Sequence, residues 1–178
     1  FPKQWDSAGV RKMENIKSGL EQLSFVKDAS ISFEVPNRKP PNATDLLPLS
    51  SNISQPIFIA GTIADKDYAA TFGLHLESGS FFNRDGATIP GQIVLNESAA
   101  KALGYTSESA IGKQIKWVSA NTTLTVCGVI KDYNYSSLQE KIDPVAFTNF
   151  EDAQTYRFLT LKLNTSNMAN AIKEVKEK

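Results

Sequence analysis

The sequence predicts an α+β fold with two lobes, one built from both ends of the chain and one inserted between them. A helix pattern followed by a strand pattern opens the chain, a strand followed by a helix closes it, and mostly short strands lie between. We therefore place the first lobe at residues 1–36 and 145–178 and the inserted, mostly β lobe at residues 37–144. With 178 residues, 41% of them hydrophobic, the chain can bury a core.

The opening helix is indicated by an apolar stripe at steps of three and four residues, with charged residues such as Lys17 between its members. The stripe consists of Val10, Met13, Ile16, Leu20 and Leu23. Apolar and polar residues then alternate across residues 26–35, which predicts a strand that Pro36 ends. Residues 36–56 contain five prolines among Asn, Ser and Thr, so this segment predicts neither a helix nor a central strand.

The middle of the chain begins with an apolar strand at residues 57–64. Asp65 and Asp67 follow it, and we expect their carboxylates to cap a short helix that Gly73 ends. The remaining predicted elements are a strand at 92–95, a helix capped by Asn96 and ending near Leu103, strands at 113–118 and 122–130 joined by a hairpin turn, strands at 145–147 and 158–163, and a last helix striped by Met168, Ala171, Ile172 and Val175.

Composition excludes several classes of function. Nineteen basic residues balance nineteen acidic ones, and the densest basic cluster is only Arg38 and Lys39, so no nucleic-acid-binding surface is expected. Cys127 is the single cysteine, which excludes an intrachain disulfide, and its strand-like neighbours predict a buried, unreactive thiol. His75 is the single histidine and is expected to be structural. We expect no cofactor and no bound metal.

Two groups of residues were weighed for catalysis. Ser98 and Lys101 have the spacing at which an amine can deprotonate a hydroxyl on the same helix, but the first turn of a helix, where small polar residues are common, accounts for the serine much better. Asp65, Asp67 and Asp85 could pair as acid and base or bind a cation, although capping and solvation account for them better. We therefore predict that the chain is not an enzyme.

The predicted contact site is a polar turn after a strand, in which Tyr133 and Tyr135 bracket Asn134. Amphipathic aromatic rings in such a turn suit contacts with a partner. No run of about 18 apolar residues and no signal peptide are present, and both ends read as interrupted. We therefore expect the chain to be a segment of a longer, membrane-anchored protein.

A series of short motifs runs through the middle of the chain. It comprises Asp67-Tyr68, Thr71-Phe72-Gly73-Leu74, Leu76 to Phe82, Ile93 to Ala100, Gly104, Ile111-Gly112-Lys113 and Val126 to Tyr135. In this order and spacing, the series resembles the MacB-like periplasmic core domain of FtsX/MacB-family ABC transporter permeases, of the type common in Bacteroidetes. The fold alone can explain several of these motifs. Gly79, for example, suits a turn before Phe81 and Phe82 return to the core.

The resemblance implies an extracytoplasmic domain on the periplasmic side of the bacterial inner membrane, inserted between the first and second transmembrane helices of a permease. Its two lobes would be a porter-like lobe of βα units and an inserted sabre-like lobe. ATP hydrolysis would belong to a separate ABC ATPase, while the domain would transmit conformational change or contact substrate, a periplasmic adaptor, a lipoprotein or a signalling partner. The full-length permease would be a homodimer or heterodimer, and the isolated domain can be a monomer.

Two alternatives stay open. A stand-alone ligand- or peptide-binding module would use the aromatic turn and would contain a concave, partly apolar pocket. A small serine/lysine hydrolase would bring Ser98 and Lys101, or Asp65 and Asp67, together in a cleft.

Overall fold

A computed structural model of the chain describes residues 5–82, 89–134 and 142–178. It has an α+β fold, which confirms the predicted class. In chain order, the elements are α1 (Ser7–Glu21), β1 (Val26–Ser32), β2 (Asn42–Pro48), β3 (Ile57–Ala64), α2 (Tyr68–Phe72), β4 (Leu76–Gly79), β5 (Gln92–Asn96), α3 (Glu97–Ala102), α4 (Ser107–Ala110), β6 (Gln114–Trp117), β7 (Thr122–Ile130), β8 (Val145–Asn149), α5 (Phe150–Ala153), β9 (Phe158–Leu163) and α6 (Met168–Glu177).

The nine strands found among the described residues form one sheet, in the order β2-β6-β7-β5-β8-β3-β1-β9, with β4 paired to β7. Because β2 also pairs with β3, the strands β2, β6, β7, β5, β8 and β3 close into a circle. Leu46 of β2 pairs with Ile57 of β3 on one side and with Trp117 of β6 on the other. The sheet therefore curls into a small barrel, which we call the six-strand ring, and β1 and β9 extend it beyond β3.

Both ends of the described chain attach to neighbouring strands. α1 leads into β1, and β9 leads into α6. β1 and β9 pair in antiparallel register from Val26 opposite Leu163 to Ser32 opposite Phe158. α1 packs along β1, so the first and last helices are both connected to the same two-strand edge of the sheet.

One end of the six-strand ring is filled by side chains and covered by α3 and α4. The apolar residues that point into the ring pack against Ala99 and Ala100 of α3, against Leu103 at its C-cap and against Ala110 of α4. They are Leu46, Ile59, Ile93, Leu95, Ile115, Leu124, Val126, Val129 and Ala146. Asn96 caps α3 as predicted, since its side chain accepts a hydrogen bond from the N–H of Ala99 at 2.9 Å.

An aromatic cluster packs against the outer face of the ring strands. It consists of Tyr68, Phe72, Phe81, Phe82 and Phe147. Phe82 is fully buried and Phe81 is 5% exposed, which confirms that this pair returns to the core.

Two glycines allow β4 to approach β7 closely. Gly79 and Gly128 are paired in register. A Cβ atom on Gly79 would lie 2.2 Å from the carbonyl oxygen of Cys127, and one on Gly128 would lie 2.1 Å from the carbonyl oxygen of Ser80. Both positions therefore need glycine, because any side chain would overlap with backbone atoms that cannot rotate away.

Several features, including the short elements β4 and α5, differ from the sequence predictions. β2 lies inside the proline-rich segment and pairs on both sides, because Pro40, Pro41 and Pro48 stand at its ends and leave the N–H groups between them free to pair. The single turn of α4, which is capped by Thr106, has no counterpart in the prediction. Asp67 occupies the N-cap position of α2, but its side chain makes no capping hydrogen bond.

The predicted division into two lobes falls within a single sheet. β8, which was assigned to the lobe of the chain ends, lies between β3 and β5 of the inserted lobe. The boundaries at residues 37–144 stay a prediction.

Candidate functional site

The Ser98 hydroxyl is bound to a carboxylate rather than to the Lys101 amine. Its Oγ donates to Asp132 Oδ2 at 2.6 Å, and its N–H donates to Asp132 Oδ1 at 3.0 Å. In return, the N–H of Asp132 donates to Glu97 Oε2 at 2.9 Å. These bonds join the first turn of α3 to the end of β7, so they give Ser98 a structural role.

A buried ion pair connects α1 to the sheet. Lys17 Nζ lies 2.7 Å from Asp65 Oδ2 and also bonds Asp67 Oδ2. Lys17 is 7% exposed and Asp65 is 6% exposed. Asp65 further accepts hydrogen bonds from the Ser30 hydroxyl and the Ile31 N–H, both at 2.8 Å. Asp65 is therefore not solvated as expected, although its Oδ1 also accepts the N–H of Asp67, the N-cap residue of α2, at 3.2 Å. We call Lys17 with these two carboxylates the α1 anchor.

The sequence contains a signal for the burial of Lys17, which shares a helix face with apolar residues. Val10, Met13, Lys17 and Leu20 follow one another at steps of three, four and three, which places them on one face of a helix. This is the face that packs on the sheet, whereas Ile16 is 40% exposed. A lysine that completes an apolar stripe predicts a buried partner of opposite charge.

Electrostatics keep the Lys17 ammonium of the α1 anchor protonated. Burial would lower the pKa of Lys17, but the charges and hydrogen bonds of Asp65 and Asp67 outweigh burial, so this pKa lies above its ordinary value. Burial also raises the pKa values of Glu14 and Glu21, which flank Lys17 on α1. The arrangement holds an ammonium between carboxylates and is a charged joint between elements.

A second buried carboxylate joins the end of β1 to the start of β9. Glu34 is 2% exposed and lies 3.0 Å from both Arg38 Nη2 and Arg157 Nη1. Its backbone carbonyl accepts a hydrogen bond from the Tyr68 hydroxyl at 3.2 Å. Glu34 follows β1 and Arg157 precedes β9, so this network reinforces the edge to which the terminal helices attach.

The other sequence candidates have structural surroundings. His75 is exposed, and its carbonyl oxygen accepts the Lys131 N–H at 2.8 Å. Cys127 lies half-buried in β7, where burial raises the pKa of its thiol to about 11, as expected for an unreactive cysteine. Asp85 lies outside the described residues. Within the described ranges, no group of three or more His, Cys, Asp or Glu residues could hold a metal ion.

The predicted contact turn lies only partly within the described residues. Tyr133 is half-buried and packs against the aromatic cluster, while Asn134 is exposed. Tyr135 lies outside the described residues. Tyr133 therefore contributes to the core, and the contact role of this turn stays a prediction.

The terminal helices lie close to each other. A cleft between α1 and the end of the chain is lined by apolar residues such as Ile16 and Val175 together with charged ones such as Arg11. The side chain of Lys178 reaches to within 3.9 Å of the position that a Cβ atom on Gly19 would occupy. Of the helices in the described part of the chain, none has both the length and the apolar character that crossing a membrane requires.

Comparison with known proteins gives one family. The MacB-like periplasmic core domain family matches residues 12–178. No curated protein matches the chain. The periplasmic region of MacB from Actinobacillus actinomycetemcomitans has a TM-score of 0.61 at 16% identity, over 92% of this chain and 71% of that one.

Two further solved structures share the fold. The extracellular domain of the ABC-type transporter YknZ from Gram-positive bacteria has a TM-score of 0.59 at 15% identity, over 91% of this chain and 76% of that one. A domain of a Porphyromonas gingivalis protein described as a permease has a TM-score of 0.58 at 14% identity, over 89% and 68%. At these identities the structures establish a shared fold, and the match over residues 12–178 decides the family. The chain belongs to the MacB-like periplasmic core domain family.

Proposed function

We propose that this domain passes conformational change between the membrane-spanning part of an ABC transporter permease and the space outside the membrane. Its family implies an extracytoplasmic position and a transporter context in which an ATPase partner hydrolyses ATP. We propose no reaction for the domain itself, since its candidate nucleophile Ser98 is held by Asp132.

The attachment of α1 to the sheet is the observation that carries this proposal. The α1 anchor connects the middle of α1 to Asp65, which directly follows β3, and through Ser30 and Ile31 to β1. Separating a buried ammonium from its carboxylates leaves charge without a partner, which is strongly unfavourable. A displacement of α1 would therefore move β1 and β3 with it.

The six-strand ring supports transmission over a longer distance. β3 and β8 pair in parallel from Ala60 opposite Val145 to Ala64 opposite Asn149, and β8 also pairs with β5. We propose that the porter-like lobe of residues 1–36 and 145–178 and the sabre-like lobe of residues 37–144 move as one lever, because β8 of the first is inserted between strands of the second.

The test measures movement in the full-length permease with its ATPase. A spin label at Thr123, an exposed position at the start of β7, reports the distance between the two copies of a dimer with and without trapped ATP. We expect this distance to change with nucleotide in the otherwise unaltered protein and in the Lys12→Met variant, whose lysine is exposed on α1. In the Lys17→Met variant the change should be lost while ATP hydrolysis continues.

Two results would contradict the proposal. The first is a distance that does not respond to nucleotide although the permease hydrolyses ATP. The second is an unaltered response in Lys17→Met. Thermal unfolding of each variant, measured in parallel, sets an assay temperature at which all of them are folded.

We also propose that the turn around Tyr133, Asn134 and Tyr135 faces an adaptor, lipoprotein or signalling partner. The exposure of Asn134 supports this proposal. A photo-reactive group at Asn134 of the full-length permease should cross-link a purified partner, whereas the same group at Lys12 should not. Cross-linking from Lys12 alone would contradict the assignment.

A further inference from the structure

The two ends of the six-strand ring differ. One end is filled by apolar side chains and covered by α3 and α4. The other end contains a cavity of about 320 Å³, and a neighbouring cavity of about 170 Å³ shares Trp117 and Thr148 with it. All six ring strands contribute residues to this pair of cavities. The ring is therefore a barrel with one closed end and one open mouth.

The strand register directs specific side chains into the mouth. Ile115 of β6 and Leu124 of β7 are opposite each other and both point into the ring. Because side chains alternate along a strand, Trp117 and Thr122, which form the next pair of the same orientation, also point inward. Thr148 lies two residues after the inward-facing Ala146 and shares its orientation. The mouth thus combines an indole ring with threonine hydroxyls.

The chemistry of the mouth is apolar with uncharged polar groups. Leu124 and Ala153 add apolar wall to the indole of Trp117. The described residues that line the two cavities include one carboxylate and no lysine or arginine. The one carboxylate, Asp152, accepts a hydrogen bond from the N–H of Gly91 at 2.9 Å. Because a buried charge needs a partner of opposite sign, this lining disfavours anions. Asp152 is exposed and already bound by a backbone N–H, so it offers a cation little that water does not.

The geometry points to a binding site in this mouth for a small uncharged molecule with a flat apolar body and a hydroxyl or amide group. Mouths of β-barrels are frequent ligand sites, and a volume near 320 Å³ lies at the lower end of the usual range, which suits a single ring. The indole of Trp117 would pack against the apolar body. The hydroxyls of Thr122 and Thr148 donate to the Ala120 and Thr62 carbonyl oxygens at 3.3 and 3.5 Å, so their oxygens would accept a hydrogen bond from the polar group of the ligand. This inference does not depend on the transmission of movement by α1.

Three probes of one size and different charge test the assignment on the 178-residue chain. They are 2-phenylethanol, phenylacetate and 2-phenylethylamine, each titrated while NMR follows the indole N–H of Trp117 and the amides of Thr122 and Thr148. We expect saturable shifts with 2-phenylethanol and dissociation constants at least about tenfold weaker for the two charged probes. The indole N–H of Trp5, which donates to the Tyr156 carbonyl, should not shift.

A variant that fills the mouth provides the matched control. Ala153→Leu adds three carbon atoms at the wall and should weaken binding of 2-phenylethanol at least about tenfold without lowering the melting temperature. If Ala153→Leu does not fold, Ala120→Leu at the exposed rim replaces it. Shifts that never saturate, tighter binding of either charged probe, or unaltered binding in the filled variant would each overturn the assignment.

Discussion

Removing one member of the α1 anchor tests how strongly buried charge holds this fold together. Lys17→Met keeps most of the aliphatic volume and removes the ammonium. Asp65 then keeps the hydrogen bonds from the Ser30 hydroxyl and the N–H groups of Ile31 and Asp67, but its charge has no counterion in a site that is 6% exposed. Breaking a buried ion pair in this way costs about 3–5 kcal/mol. We expect the free energy of unfolding to fall by about 3 kcal/mol, because three donors remain.

Asp65→Ala should have the larger effect, about 4–5 kcal/mol, because the buried Ile31 N–H also loses its acceptor. In the double variant Lys17→Met/Asp65→Ala, neither a buried ammonium nor a buried Asp65 carboxylate is left without its partner. Its loss in free energy of unfolding should therefore be smaller than the sum of the two single losses by about 2 kcal/mol. The assay is urea unfolding followed by circular dichroism. Lys12→Met, which alters an exposed lysine of the same helix, should stay within about 0.5 kcal/mol.

The pH dependence of the Lys17→Met penalty has a definite sign. The pKa of Lys17 is raised in the folded state, so its stabilising contribution is complete below the unfolded-state pKa and is lost only as pH rises through the folded-state pKa. The penalty should therefore be the same at about pH 7 and about pH 9. A penalty below about 1 kcal/mol, typical of an exposed pair, or single penalties that simply add would refute the reasoning.

Three further predictions concern single positions. Gly128→Ala places a Cβ atom 2.1 Å from the Ser80 carbonyl oxygen, so it should lower the free energy of unfolding, measured in urea, by about 2 kcal/mol or more. An unchanged free energy of unfolding would show that β4 can move aside. Asn96→Ala removes both the cap of α3 and the acceptor for the Val145 N–H, so the melting temperature should fall by about 4–8 °C in a thermal scan. An unchanged melting temperature would mean that water replaces both hydrogen bonds. Because the pKa of the Cys127 thiol is about 11, only about one part in a thousand of it should be thiolate at about pH 8. A disulfide reagent should therefore react about a hundredfold more slowly with the folded chain than with the urea-unfolded chain. Equal rates would disprove the burial of this thiol.

Local patterns in the sequence predicted most elements of the fold because the causes of those elements are local. The N-cap at Asn96, the stop at Gly73 and the return of Phe81 and Phe82 to the core each depend on a few neighbouring residues. β2 was missed because prolines flank it and its partners lie far away along the chain. The closure of the six-strand ring depends on that pairing, so no local pattern contains it.

The candidate sites show the same limit. The partners of Lys17 lie about 50 residues away along the chain, so the stripe could indicate the buried face of α1 but not the carboxylates that neutralise its lysine. Trp117 carries no sequence signal for a cavity, because the mouth exists only where six strands meet. Ser98 and Lys101 have a spacing that would suit a nucleophile and its base. Spacing along a helix does not reveal that the Ser98 hydroxyl donates its hydrogen bond to Asp132 instead.

A circle of strands has no outermost member, and this affects how the domain can come apart. Each strand of the barrel is held along both margins, so none of them can peel off alone without opening the whole enclosure and wetting its apolar filling. Among the described strands, β9, the four-residue β4 and the first residues of β1, which meets β3 only at Ser32, have a margin without a strand partner. Resistance to fraying would suit the transmission of movement that is proposed for this domain.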